Sequence, residues 1–196
     1  MPRIADAAEP VTAVSASPRA ATCYPSAVNR FGEVTAKVDA FFARVEARHA
    51  PDMACGTGCS DCCRVQLSIT GVEAAAIRAL VAGWSVEQRR ALAVGREAHG
   101  LSPGPGACAA LDASGRCRIY AARPLVCRSH GAPIRLRESS LPVVRSCFRN
   151  FTHTEPDADC VLDQETLSAL LLAVDRDAGG DGSRIDLASL VGELAI

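Results

Sequence analysis

Four histidines, one lysine (Lys37) and eight aromatic side chains are all that 196 residues contain of these types, and each scarcity excludes something. Basic residues do not outnumber acidic ones, 21 against 22. No basic stripe is interleaved with aromatics either, which argues against a nucleic-acid surface. No apolar run approaches the roughly 18 residues of a membrane-spanning helix. The opening MPRIADAAEPVTAVSASPRAATC lacks the continuous apolar stretch of a secretory signal. There is no Ser-His-Asp array, phosphate-binding loop or dinucleotide fingerprint. The few aromatics make for a modest core, although 48% hydrophobic residues exclude wholesale disorder.

Cysteine is the residue in excess, with ten in the chain. That number implies a disulfide framework or metal ligation. Without a secretory signal the chain is expected in the cytoplasm, where thiols stay reduced, so metal ligation is the favoured reading.

Residues 1–25, rich in Ala, Pro and Ser, read as a mobile tail. Val28, Phe31, Val34, Val38, Phe41, Phe42 and Val45 recur mostly at helical spacing, and Pro51 closes that helix. Thr70 and Glu73 form a capping box for a helix to about residue 82, and Ser85 with Gln88 opens a second that ends near Gly100. Residues 101–106 (LSPGPG) break regular structure. Segments 107–111 and 116–120 flank Asp-Ala-Ser-Gly and read as a short hairpin, and 134–136 and 143–144 as extended. Leu167, Leu170, Leu171 and Val174 share one face of a helix over 163–175, stopped by Gly179 and Gly180, and residues 185–194 suit one more short helix. The expected fold is mainly α with a small β-hairpin. It forms a single compact domain over 26–178, cross-linked by a cysteine-ligated metal site, with a C-terminal segment over 179–196.

The cysteines fall into two clusters. The first is Cys55-x3-Cys59-x2-Cys62-Cys63, a spacing that lets thiolates reach one centre without straining the chain. Neighbouring side chains diverge as a rule, so Cys62 and Cys63 suggest a spare thiol or two different metal atoms. The second is Cys108-x8-Cys117-x9-Cys127, followed 20 residues later by Cys147, with His130 between. Cys23 and Cys160 have no partner at ligand spacing and read as incidental thiols. All-sulfur sites suit zinc or iron–sulfur clusters. Eight thiolates could make two zinc sites, a cluster plus a zinc, or one cluster with spare thiols. Cys55-x3-Cys59-x2-Cys62 also has the spacing of radical S-adenosylmethionine enzymes, but the barrel such enzymes need does not follow it.

The runs CGTGCSDCC, CAALDASGRCRIYAARPLVCRSHG and SCFRNF resemble the YkgJ-like cysteine-cluster family, a zinc- or iron-chelating domain. Gly115, Cys117, Ile119, Tyr120, Arg123, Pro124, Cys127 and Arg128 match its distal segment, and Cys147 fits a further cysteine. Ala109 stands where many members carry proline. The resemblance spans about residues 50–155. It implies Cys55, Cys59, Cys62, Cys63, Cys108, Cys117, Cys127 and Cys147 as metal ligands. A related cluster in flagellin lysine methylases implies redox or methyl-transfer chemistry as an alternative to simple chelation.

Arg123 and Arg128 flank the cysteines and could offset thiolate charge. His130 reads as a hydrogen-bonding residue ahead of a ligand, and His49, His99 and His153 as surface or cap positions. Trp84 reads as a helix-packing anchor. DRDAGGDGSRID resembles a calcium loop poorly, with Gly179 and Gly182 at the wrong places, and Asp175, Asp177, Asp181 and Asp186 are expected to be solvated. The functional expectation is a cytoplasmic metal-binding protein with zinc or an iron–sulfur cluster, the thiol count favouring the latter. An enzyme built on that centre is the alternative, and no nucleic acid or membrane partner is expected.

Overall fold

A computed structural model describes residues 24–56, 58–98, 107–138 and 141–196. Cys23, His99 and the LSPGPG segment lie outside the described residues, as does nearly all of the expected tail.

Helix α1 (Tyr24–Arg48) buries Phe31, Thr35, Val38 and Val45 at steps of three, four and seven along one face. It stops before Pro51, whose ring disfavours helical geometry in the residue ahead of it, and a 3-10 turn (Ala50–Asp52) follows. Strand β1 (Ser68–Ile69) leads into α2 (Gly71–Ala82). As the sequence predicts, the Glu73 carboxylate reaches back to accept from the Thr70 backbone N–H at 2.8 Å and its hydroxyl at 3.0 Å. Helix α3 (Val86–Ala98) opens on the reciprocal pair expected, Ser85 N–H to Gln88 Oε1 at 2.8 Å and Gln88 N–H to Ser85 Oγ at 3.3 Å. The short α4 (Leu125–Ser129) was not foreseen.

Strands β2 (Ile134–Glu138) and β3 (Leu141–Arg145) form the one long antiparallel hairpin among the described residues, pairing Ile134 with Arg145 through to Glu138 with Leu141. Strand β4 (Leu162–Asp163) adds to β2 in parallel. Helix α5 (Gln164–Asp177) is capped by Asp163, which accepts from the Thr166 N–H. Strand β5 (Ile185–Asp186) pairs antiparallel with β1, and α6 (Leu187–Leu194) is capped by Asp186. The model is thus about half helical with two small sheets.

The hairpin expected over 107–120 is corrected. Only one bridge forms there, Leu111 with Cys117. The Asp112 side chain spends its Oδ1 on the N–H groups of Ser114 and Arg116, which tightens the turn. Beyond it the chain leaves the extended state for a 3-10 turn (Tyr120–Ala122), so no ladder can grow.

Two apolar clusters flank α2. Ile77 and Val81 join Ile69, Leu92, Ile119, Leu187, Leu190 and Val191 on one side, with Trp84 packed against them as anticipated. Val72 joins Phe31, Val38, Leu125, Leu167 and Val174 on the other. Asp175 is not solvated as the calcium-loop comparison suggested. It is 1% exposed and accepts from the Val72 N–H at 2.9 Å, so it stitches α5 to the first turn of α2, where a carboxylate is favourable. No helix among the described residues is long and apolar enough to cross a membrane.

Candidate metal centre

Four separate segments carry the eight cysteines of the two clusters. In the loop 55–63, Cys59 N–H donates to Gly56 O at 3.1 Å, and a 3-10 turn (Asp61–Cys63) closes through Cys63 N–H to Ser60 O at 2.9 Å. That tight turn keeps the vicinal side chains together, with Sγ atoms of Cys62 and Cys63 4.0 Å apart. The expectation that neighbours diverge is corrected here. Two thiolates on one tetrahedral zinc lie about 3.8 Å apart, so this pair is close enough to stand at the junction of two adjoining centres.

The second cluster is fastened to the first by backbone. Cys108 N–H donates to Cys63 O at 2.7 Å. A Cβ added to Gly115 would meet Ser60 Oγ at 3.4 Å and Gly58 O at 3.5 Å, so the 112–115 turn lies directly on the first loop. Cys127 rides on α4, and the first N–H of that helix, Leu125, donates to Glu73 Oε1 at 2.9 Å. Glu73, 2% exposed, thereby ties the start of α2 to the helix that carries a cysteine. Sequence reasoning found only its capping role, because the second partner lies 52 residues away.

Asn150 clamps the remaining two cysteines. Its amide donates to Cys55 Sγ at 3.3 Å and to Gly131 O at 2.7 Å, while its Oδ1 accepts from the Ala54 N–H at 2.9 Å. Its own N–H donates to Cys147 O at 2.8 Å. Sequence reading missed Asn150 and Gly131, although both stand in the quoted runs SCFRNF and CRSHG. The signal available was a buriable amide three residues after a cysteine.

The electrostatic neighbourhoods overlap at Cys62, which acts on Cys55 on one side and on Cys63, Cys108, Cys117 and Cys127 on the other. Cys55 feels Cys147, Cys59 and Cys62. Cys63 feels Cys62, Cys108 and Cys117, and Cys127 feels Cys108, Cys117 and Cys62. Burial pushes the Cys117 thiol up to about 11 and that of Cys127 to about 12, with neighbouring thiols adding to both. Burial also raises Cys108 and Cys55, the latter opposed by the Asn150 amide. In the vicinal pair the contact between the two thiols raises Cys63 and lowers Cys62, which also faces His130, to about 6. Such a crowd of half-buried thiols ionises together only when a cation supplies the opposing charge. The donor set is soft and fits zinc or iron, not magnesium or calcium. Among the described residues no three of these eight sulfurs gather within 4.8 Å, so ligation would draw the loops inward.

The two arginines have other partners. Arg128 is 8% exposed and donates to Asp39 Oδ2 at 2.5 Å, Ala121 O at 2.6 Å and Arg123 O at 3.1 Å. It pins the segment before α4 onto α1 and has no thiol among those contacts. Arg123 stacks 4.0 Å over the Tyr120 ring, reaches Asp39 at 3.4 Å, and is near enough to Cys117 to favour its thiolate. Of the two positions expected for His49, surface or cap, it takes the cap, as the N-cap residue of the 3-10 turn 50–52. Its side chain is 12% exposed and lies between Asp52 and Asp157. Cys160, 0% exposed, is the one fully buried cysteine among the nine described.

A family model, CxxCxxCC, described as "Putative zinc- or iron-chelating domain", matches residues 54–160, just over half of the chain. No curated protein and no solved structure matches it.

Proposed function

The chain belongs to the CxxCxxCC family of zinc- or iron-chelating domains, and from that premise we propose that it binds metal through two adjoining four-thiolate sets. Cys55, Cys59, Cys62 and Cys147 make the outer set, and Cys63, Cys108, Cys117 and Cys127 the inner one. The observation that carries this reading is the fastening of the cysteine-bearing segments to one another, Cys108 N–H to Cys63 O on one side and Asn150 between Cys55 and Cys147 on the other, with the Cys62–Cys63 pair at the junction. Four thiolates complete a structural zinc site or hold an iron–sulfur cluster. Eight exceed what one zinc requires, which favours iron–sulfur for at least one set. In either case the ion or cluster ties loop 55–63 to α4 and to the 147–150 turn, so its binding energy becomes folding energy. Redox or group transfer at the outer set is favoured by the exposure of Cys59, which leaves that side open to solvent.

The test is metal and acid-labile sulfide content, with a visible spectrum, on protein purified without oxygen. Cys59→Ser and Cys117→Ser are each expected to lose the metal of one set and keep that of the other. Unchanged metal content in both variants would remove the assignment. Iron with sulfide and a brown absorption band marks a cluster, and stoichiometric zinc without colour marks a structural or carrier site.

A further inference from the structure

The end of α1 meets the segment 157–160, outside the eight clustered cysteines. Among the described residues this junction holds the only trio of cysteine, histidine or carboxylate donors whose ligand atoms all lie within 4.8 Å of one another: His49, Asp157 and Cys160. We propose that His49 Nε2, a carboxylate oxygen of Asp157 and Cys160 Sγ form a second metal site, separate from the cysteine cluster, that takes one zinc ion and leaves a fourth position to water.

Three features prepare the site. First, the Asp157 N–H donates to His49 Nε2 at 3.4 Å. Nε2 is therefore the unprotonated nitrogen, and a metal ion would take the place of that long N–H contact on its lone pair. The Asp52 carboxylate stands 3.8 Å from Nδ1, beyond hydrogen-bond distance but on the side from which carboxylates orient metal-bound imidazoles. Second, Nε2 and Asp157 Oδ2 are 3.4 Å apart, and two such donors on one tetrahedral zinc lie about 3.3 Å apart. Third, the imidazole is buttressed. The Phe151 ring meets it edge-on with centroids 5.1 Å apart. Phe151 holds that place at φ 53°, a left-handed conformation costly for a bulky residue, with its N–H on Asp52 O at 2.9 Å.

The charges are consistent with a divalent ion. Arg48 pairs with Asp157 at 2.6 Å and with Asp159 at 2.5 Å. Asp157 Oδ2 is thus shared while Oδ1 stays available, and Asp159 can keep the guanidinium if Asp157 turns to metal. On binding, zinc replaces the thiol proton of Cys160, so one proton leaves for each ion bound. One nitrogen, one oxygen and one sulfur suit zinc, and three protein ligands leave the coordination open. His49 lies outside the family match at 54–160, while Asp157 and Cys160 lie at its end.

The experiment uses the full chain loaded with zinc, as wild type and as His49→Ala, Cys160→Ser and Asp157→Asn. Wild type is expected to hold one more zinc per chain than His49→Ala or Cys160→Ser. Asp157→Asn is expected to hold the extra zinc about tenfold more weakly against a competing chelator. In protein loaded with cadmium-113, one resonance from a single-thiolate site should vanish in His49→Ala while the all-thiolate resonances persist. Equal zinc content in all four proteins, or a cadmium spectrum indifferent to His49, would overturn the site. Where Cys160→Ser or His49→Ala fails to fold, Asp157→Asn decides, because that side chain is 48% exposed; unchanged affinity there overturns the site equally.

Discussion

The thiols proposed as the inner and outer sets are held by different physics. Cys108 and Cys117 of the inner set pack against the apolar cluster formed by Ile77, Ile119 and Leu190, and Cys127 rides on α4 beside Leu125 in the second cluster. The outer set hangs on one amide, that of Asn150, and on an exposed loop whose Cys59 faces solvent. The inner geometry is therefore a by-product of folding the helices. The outer geometry depends on a polar clamp that can open while the helices stay packed. If this contrast is real, the two sets should part company under the right perturbation.

Alkaline pH applied to the reduced, metal-free chain should expose it most strongly. Burial raises Cys117 to about 11 and Cys127 to about 12 from an ordinary 9.0. The fold favours the neutral thiols, so their contribution to stability is complete below pH 9. It is lost as pH climbs through 11 and 12, where the folded state must carry buried thiolates. The melting temperature should fall steeply above about pH 9. A flat curve to pH 12 would mean that the inner thiols are as hydrated as the outer ones.

Removing the inner scaffold comes next in size. Glu73→Ala strips acceptors from the Thr70 N–H and hydroxyl and from the Leu125 N–H, in a place without water access. Orphaned buried donors cost about 1–3 kcal/mol each, and a loss of about 3 kcal/mol is expected for the site as a whole. Denaturant unfolding would measure it. Metal should leave the inner set first, since α4 loses its anchor, and a variant that sheds both sets equally would abolish the distinction drawn here.

What the sequence revealed and what it concealed divide along the same line. Helix starts were legible because their chemistry is local: Thr70 with Glu73, Ser85 with Gln88 and Asp163 with Thr166 each lie three residues apart. The cysteine spacing and the distal run GRCRIYAARPLVCR pointed to the family that the chain proves to match. The hairpin was placed at 107–120 when the ladder lies at 134–145, because an Asp-Ala-Ser-Gly turn looks the same whether or not strands extend from it. Asn150 to Cys55, Glu73 to Leu125, Asp175 to Val72 and His49 to Asp157 span 95, 52, 103 and 108 residues. No periodicity encodes such pairings, and they are the ones that position the thiols and the second candidate site.

The finest test acts on the outer set alone. Gly131 adopts φ +99°, and a Cβ there would stand 2.7 Å from Cys55 Sγ. Gly131→Ala therefore suffers twice, from a left-handed backbone and from a methyl group driven into a candidate ligand. Gly58 has a similar φ of +92° but no atom within 4 Å of its added Cβ, so Gly58→Ala carries the backbone strain alone. Such strain costs of order 1–3 kcal/mol, so both variants should melt lower, Gly131→Ala by more because of its added clash. Metal content should separate them. Gly131→Ala is expected to lose the outer metal and keep the inner, because Cys55 must move and the Asn150 amide that holds it must follow. Gly58→Ala is expected to keep both. Identical metal content in the two variants would show that Cys55 is not held where a ligand must be, and that the outer set takes its form from the loop as a whole and not from the clamp.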